Sequence, residues 1–271
     1  MRARSLLLPC SVLLAAALVL AGCGDDPAKV LAAAPAKTQA AGSSKMAIDI
    51  SVSAPAGGQQ VEFNGQGAFD YAGRKGSLSV QLPAGPGGAA NTLDVVVIGD
   101  VVYQRLPAAS GLKLPKGKPW VRLDTKQLGT TGAAQSQASD PRAALRFLAG
   151  VSGKIDTVGK EKLRDAGTTH YRTTLDLTKA AKAASGDSGA IDALIKQIGT
   201  SSVPADIWID GDGRLRRLHY GVDVKAAQAT PQATKIDVDL ELFEFGTAVT
   251  VAPPPADQVA DAGSMLGGTG G

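Results

Sequence analysis

The chain has 271 residues, of which 44% are hydrophobic and only 4% are aromatic. It contains 28 lysines and arginines and 25 acidic residues. Two of the basic residues, Arg2 and Arg4, lie in a predicted leader, so the rest of the chain has 26 basic and 25 acidic residues. A nearly neutral chain without a basic stripe argues against nucleic acid as a partner. Cys10 lies in the same leader, so the second cysteine, Cys23, has no disulfide partner, and an aliphatic core is expected to stabilise the fold.

Residues 1–22 are predicted to be a secretory signal. A basic start is followed by an apolar run of about fifteen residues, which is shorter than the roughly 20 that a membrane-spanning helix needs. The run ends in the sequence LAGC at Cys23, which resembles a bacterial lipoprotein signal. The resemblance implies cleavage before Cys23, acylation of that residue and a lipid-anchored position on the outer face of the cell membrane. An ordinary cleaved signal is the alternative.

The ends of the mature chain are predicted to be unstructured. Residues 23–45, which begin with the lipidated cysteine, are interrupted by prolines and are expected to form a flexible tether. A short helix over residues 29–34 is the alternative. Residues 252–271 are rich in Pro, Ala and Gly and are expected to be disordered. One folded domain is therefore expected over residues 46–251.

Alternation of apolar and polar residues predicts strands through most of this domain. The predicted strands cover residues 46–53, 61–71, 78–82, 93–98, 101–105, 120–124, 206–210, 214–224 and 236–242, with two more within 155–177. Short connections favour antiparallel pairing. Gly65 and Gly67 lie inside the second strand, where glycines are expected to bend the sheet.

Three helices are predicted among the strands. The first has Pro141 at its first position and carries Leu145 and Leu148 on an apolar side. A short helix follows Thr178, and a third begins at Ser188. The third helix is the most amphipathic, because apolar residues recur at i, i+3, i+4 and i+7. These residues are Ile191, Leu194, Ile195 and Ile198.

The elements predict an α+β domain built on a curved antiparallel half-barrel. An apolar sheet face must be covered, and a few short helices over the concave side fit this inventory better than a second sheet. The strand residues expected to face the concave side are Ile48, Ile50, Val80, Val95 and Val97. Together with Leu145, Leu148 and the apolar side of the third helix, they are expected to bind a ligand in an apolar cavity. A core filled by these same side chains is the alternative.

Several segments resemble the LppX/LprG group of bacterial envelope lipoproteins, which are relatives of LolA-type carriers. The segments are WVRLD at 120–124, VGKE at 158–161, YRTTLD at 171–176, VPADIWID at 203–210 and DGRLRRL at 212–218. The resemblance implies a half-barrel whose cavity holds acyl chains of lipids or glycolipids, which the protein carries or presents at the envelope. It implies no cofactor, and it leaves an envelope transporter open as a further partner.

The sequence offers no catalytic or metal-binding motif. The histidines, His170 and His219, lie outside any nucleophile motif, and no Cys/His cluster with metal-ligand spacing accompanies them. An envelope hydrolase is therefore disfavoured and no catalytic residue is assigned. A lipid-binding lipoprotein is the favoured prediction, and a structural or signalling lipoprotein that binds a protein partner is the alternative.

Overall fold

The computed structural model of the chain describes residues 26–53, 60–83, 91–107, 114–124, 141–183, 188–224 and 234–263. The predicted signal and Cys23 lie outside these residues, so cleavage and acylation stay predictions. Among the described helices, none combines the length and the hydropathy that crossing a membrane requires.

The described residues form twelve strands and four α-helices. The strands are β1 (Ser43–Ser53), β2 (Gln60–Asp70), β3 (Lys75–Leu82), β4 (Asn91–Ile98), β5 (Val101–Arg105), β6 (Trp120–Asp124), β7 (Val151–Leu163), β8 (Ala166–Asp176), β9 (Ser202–Asp210), β10 (Leu215–Val224), β11 (Thr234–Phe243) and β12 (Val259–Asp261). The helices are α1 (Pro27–Ala40), α2 (Pro141–Phe147), α3 (Leu177–Ala183) and α4 (Ser188–Ile198), with 3₁₀ turns at Leu148–Gly150 and Ala256–Gln258.

All twelve strands belong to one sheet in the order β12-β6-β5-β4-β3-β2-β1-β11-β10-β9-β8-β7. Neighbouring strands are antiparallel, except that β12 runs parallel to β6. Strands β12 and β7 form the two edges and do not pair with each other, so the described sheet is open. One open sheet with few short helices confirms the predicted α+β class and fits a curved half-barrel.

One side of the sheet, here called the apolar face, is built by the strand register. Because side chains alternate between faces along a strand, paired residues in neighbouring strands point to the same side. One row across eight strands consists of Tyr171, Ile207, Leu218, Leu240, Ile48, Gly65, Val80 and Leu93. The opposite side, here called the polar face, carries charged residues such as Asp49, Arg217 and Asp239.

The helices cover part of the apolar face. Helix α1 contacts β7 and β10, α3 contacts β8, and α4 contacts β10. Buried helix residues belong to the same core cluster as the apolar row of the sheet, and they are Leu31, Ala34, Leu145, Leu148, Leu177, Ala180, Ala181, Ile191 and Ile198. The core therefore lies between this helical layer and the apolar face of the sheet, and it extends from β8 to β11 into β1 to β5.

The prediction of a flexible tether over residues 23–45 is wrong where α1 forms, and the sheet begins at Ser43. Asp26 caps the helix by accepting a hydrogen bond from the Ala28 amide at 3.0 Å, and Pro27 occupies the first turn. Leu31 is 0% exposed. Pro35 removes an amide donor and would weaken an isolated helix, but burial against the sheet offsets this loss. The alternative helix over residues 29–34 had the correct type but was too short.

The prediction of disorder over residues 252–271 is wrong for β12. Val259–Asp261 adds a parallel strand to β6, Ala260 is buried, and Arg122 Nη1 donates to Asp261 Oδ2 at 3.0 Å. The folded domain thus extends beyond residue 251. A segment of three residues is too short to show the alternation that predicts a strand. It forms a strand because it pairs with the exposed edge of β6. Residues 264–271 lie outside the described chain.

Replacing Leu31 by alanine is expected to lower the free energy of unfolding by about 2–5 kcal/mol. The side chain is fully buried in the core cluster, so its removal would leave a cavity between α1 and the sheet. Lys29→Ala is the control, because Lys29 is exposed on the same helix and its loss should change stability by no more than about 0.5 kcal/mol. Urea denaturation measures both. Equal stabilities for the two variants would contradict the docking of α1.

Candidate functional site

The strand register brings the five predicted strand residues to the apolar face. Their burial divides them into two groups. Val95 is 1% exposed and Val97 is 5% exposed, so both are part of the closed core. Ile48, Ile50 and Val80 are only half-buried. The last three are therefore partly accessible to solvent.

The predicted helix residues lie mostly inside the core cluster. Leu145 is 1% and Leu148 is 2% exposed, while Ile191 and Ile198 are also buried. Ile195 is half-buried and packs against the cluster. The side chain of Leu194 lies outside the described residues. The helices thus contribute chiefly to the closed part of the apolar face.

The apolar face is closed at one end and partly accessible at the other. At the closed end, Met46, Leu240 and Leu242 are buried. At the other end, β1, β2, β3, β10 and β11 carry apolar side chains that are all half-buried. This group, here called the apolar patch, consists of Ile50, Val52, Val61, Phe63, Leu82, Val222, Val224, Ile236 and Val238. The surface that the apolar face exposes to water there is therefore formed by hydrocarbon side chains.

The two glycines of β2 have no room for side chains. A Cβ atom on Gly65 would lie 2.8 Å from Ile48 Cγ2 and 3.2 Å from Val80 Cγ2, so side chains from both neighbouring strands converge over it. A Cβ atom on Gly67 would lie 2.2 Å from the Ser77 carbonyl oxygen. This close approach of strands at the middle of the sheet fits the bend that the sequence predicted there.

Tyr220 adds a polar group to the apolar face and was absent from the predicted site residues. Its ring lies 6.2 Å from the ring of Phe147 on α2, measured between centroids. Burial raises the pKa of the Tyr220 phenol further above its ordinary value of about 10. The hydroxyl is protonated at neutral pH and can donate a hydrogen bond. The alternation in β10 placed Tyr220 on the side opposite His219, which is the signal that could have identified it.

The polar face carries a shallow cleft of about 460 Å³ between β10, β11, β1 and β2. Its lining includes Asp49, Glu62, Asp239 and His219. Burial first, and then the neighbouring Asp239 carboxylate, raise the pKa of Asp49. Arg217 pairs with Asp239 at 2.5 Å. The cleft is therefore lined by a network of surface charges. The apolar face remains the candidate site for an apolar ligand.

A second polar cluster joins β7, β8 and β9 on the polar face. His170 is buried and lies between two carboxylates, with its Nδ1 2.8 Å from Glu161 Oε1 and its Nε2 2.6 Å from Asp206 Oδ1. Its ring stacks on Trp208 at a centroid distance of 4.1 Å. The Trp208 indole N–H donates to Glu161 Oε2 at 2.8 Å. This cluster holds the edge strand β7 to the rest of the sheet.

Acidification is expected to weaken this cluster. The hydrogen bond from Trp208, and then that from His170, lower the pKa of Glu161 below its ordinary value. Its stabilising contribution is therefore complete above the pKa of an unfolded glutamate, about 4.3, and is lost as the pH falls through the folded-state value. Trp208→Phe removes the largest cause of this shift, so the variant should lose less stability than the wild type as the pH falls from about 5 to about 3.

Urea midpoints at several pH values test this expectation. The control is Trp120→Phe, because Trp120 is half-buried and its ring faces Arg105 rather than a carboxylate. This control should keep the wild-type pH dependence. Parallel pH profiles for wild type and Trp208→Phe would show that the indole does not stabilise the Glu161 carboxylate.

No protein-family model matches this chain, and no curated protein matches it either. Solved structures do align with it. LprF from Mycobacterium bovis is 13% identical, with 84% of this chain and 96% of that chain covered and a TM-score of 0.44. LppX from Mycobacterium tuberculosis is 15% identical, with 84% and 100% covered and a TM-score of 0.42.

A LolA superfamily protein from Nitrosomonas europaea also aligns, with 11% identity, 83% of this chain and 94% of that chain covered, and a TM-score of 0.29. Solved structures from the groups that the sequence resembles are thus among those that match this chain.

Proposed function

We propose that the chain is a membrane-anchored lipoprotein that binds acylated lipids or glycolipids in an apolar cavity and carries or presents them at the cell envelope. In this proposal the sheet is a half-barrel with its apolar face on the concave side, and the helices close part of that side. The observation that supports the proposal is the apolar patch, where half-buried hydrocarbon side chains continue the apolar face beyond the closed core.

The energetics of acyl chains make such a surface sufficient for carriage. Exposing a hydrocarbon tail to water costs about 0.8 kcal/mol for each CH₂ group, so a tail of about ten methylenes resists leaving a bilayer by roughly 8 kcal/mol. A protein surface that shields the tail removes most of this cost, since apolar contacts in the bilayer are replaced by similar contacts. The step breaks no covalent bond, so the proposal assigns no cofactor and no catalytic residue.

The anchor in this proposal is Cys23. The LAGC sequence follows an apolar run of the length and position of a secretory signal. Export and acylation would place the domain on the outer face of the cell membrane, beside its lipid ligands. An envelope transporter that supplies or receives these ligands is a further partner in the proposal.

Native mass spectrometry of the gently purified, full mature chain tests lipid binding. The expected result is a co-purified species with the mass of an acylated lipid, together with saturable uptake of a fluorescent fatty-acid probe. Val158→Ala is a control that should bind lipid like the wild type, because Val158 lies on β7 outside the apolar patch and is 48% exposed. A folded protein that neither carries a lipid nor takes up the probe would overturn the proposal.

A further inference from the structure

The helices carry a net positive charge, whereas the rest of the mature chain is net negative. Seven lysines and arginines but one acidic residue, Asp192, lie in α1 to α4. From Cys23 onward the chain has 26 basic and 25 acidic residues, which leaves 19 basic and 24 acidic residues outside these helices. The helical layer therefore has a net charge of +6 and the rest of the mature chain a net charge of −5.

The cations of the sheet are largely neutralised, whereas the helix lysines pair with no carboxylate that the structure describes. In the sheet, Arg164 pairs with Glu241 at 2.7 Å and Lys235 with Asp237 at 2.9 Å. Five helix lysines are exposed and form no ion pair with any carboxylate that the structure describes. They are Lys29, Lys37, Lys179, Lys182 and Lys196. The outer surface of the helical layer thus offers unpaired positive charge to an anionic partner.

The connection to the anchor brings this surface close to the membrane. Helix α1 begins at Pro27, four residues after Cys23. Four residues span at most about 14 Å. Helix α1 itself is held to the domain, because the Thr38 hydroxyl accepts a hydrogen bond from the Leu215 amide at 2.9 Å and Leu31 is fully buried. A lipidated Cys23 would therefore keep the helical layer beside the bilayer.

We propose that the basic helical surface, defined by Lys29, Lys179, Lys182 and Lys196, docks on anionic lipid head groups of the membrane that holds Cys23. Attraction between exposed charges extends only over a Debye length, roughly 8 Å at physiological salt. The short connection between Cys23 and α1 brings the helical layer close to the bilayer. Helices α1 to α4 form one contiguous layer, in which neighbouring helices contact each other. The inference rests on the acylation of Cys23 that the proposed function includes.

Site-specific quenching tests this docking. The lipidated mature chain is placed in phosphatidylcholine vesicles with or without phosphatidylglycerol, and a fluorophore is attached to an introduced cysteine. Gln197→Cys reports from α4 and Ser77→Cys from the polar face of β3, since both residues are exposed. A quencher on the lipid head groups should act several-fold more strongly at position 197 than at position 77. The difference should grow with phosphatidylglycerol and shrink in high salt.

Charge variants identify the surface. The triple variant Lys179→Gln, Lys182→Gln, Lys196→Gln should lose most of the phosphatidylglycerol-dependent quenching at position 197. Its matched control removes the same three charges from the sheet, by the changes Lys45→Gln, Lys75→Gln and Lys235→Gln, whose lysines pair with carboxylates. The control should keep the quenching. Circular dichroism confirms that both variants are folded.

Mass spectrometry of the same sample separates the two proposals. If Cys23 is acylated and quenching at position 197 equals that at position 77, the docking is overturned while lipid binding is unaffected. If the control variant loses as much quenching as the helix variant, net charge rather than this surface is responsible, and the docking is overturned as well. If Cys23 carries no lipid, the docking and the anchoring part of the proposed function fail together.

Discussion

Ile50→Asp is expected to abolish lipid uptake in a domain that still folds, whereas Val95→Asp is expected to unfold it. Both residues point to the apolar face. Ile50 is half-buried in the apolar patch, where a carboxylate can reach water but repels an acyl chain. Val95 is 1% exposed, and burying a carboxylate there without a partner should cost several kcal/mol, on the order of 3 or more.

Circular dichroism and uptake of the fatty-acid probe distinguish these outcomes. Ser77→Asp serves as the control, because Ser77 is exposed on the polar face and a carboxylate there should change neither folding nor uptake. If Ile50→Asp unfolds the domain as Val95→Asp does, side chains fill the interior at Ile50 and the proposed cavity does not exist there. If the folded Ile50 variant retains uptake, the ligand does not bind at the apolar patch.

Gly67→Ala is expected to destabilise the domain by about 3 kcal/mol. The added Cβ atom would lie 2.2 Å from the Ser77 carbonyl oxygen, which is a backbone atom paired into the sheet, so β2 and β3 would have to separate. A flexible side chain could move away from such a contact, but a strand backbone cannot move without losing ladder hydrogen bonds.

Gly159→Ala is the matched control for this substitution. Gly159 lies in the edge strand β7, and a Cβ atom there would meet no atom within 4 Å. Its replacement should change stability by no more than about 0.5 kcal/mol. Urea denaturation of both variants gives the comparison. Similar midpoints would show that β2 and β3 are not in such close contact, and the predicted bend at Gly67 would lose its support.

Strands β1 to β11 and three of the four helices could be predicted because their signals are local. The alternation of Met46, Ile48 and Ile50 with polar neighbours is sufficient to assign a strand and its apolar side. The spacing of Ile191 and Ile198 similarly indicates the buried side of α4, and both residues are buried. Periodicity belongs to the element itself, so it can be recognised before the element has a partner.

Helix α1 could not be predicted with its full length, because the signals that favour it and oppose it are both present. Pro35 opposes a helix, while the Asp26 cap and the first-turn Pro27 favour one. The deciding contribution is the complete burial of Leu31 and Ala34 against other elements. Strand β12 likewise exists only because β6 offers an edge for pairing.

By itself, the sequence determined which residues form strands β1 to β11 and which side of each strand is apolar, since both follow from local pattern. The tertiary structure alone decided how far each apolar side chain is buried. Val95 and Ile50 both lie on the apolar side of an alternating strand. Val95 is nevertheless closed off from solvent, whereas Ile50 lies in the apolar patch. The difference arises because burial depends on packing between elements that are distant in sequence, and no local pattern records where that packing ends.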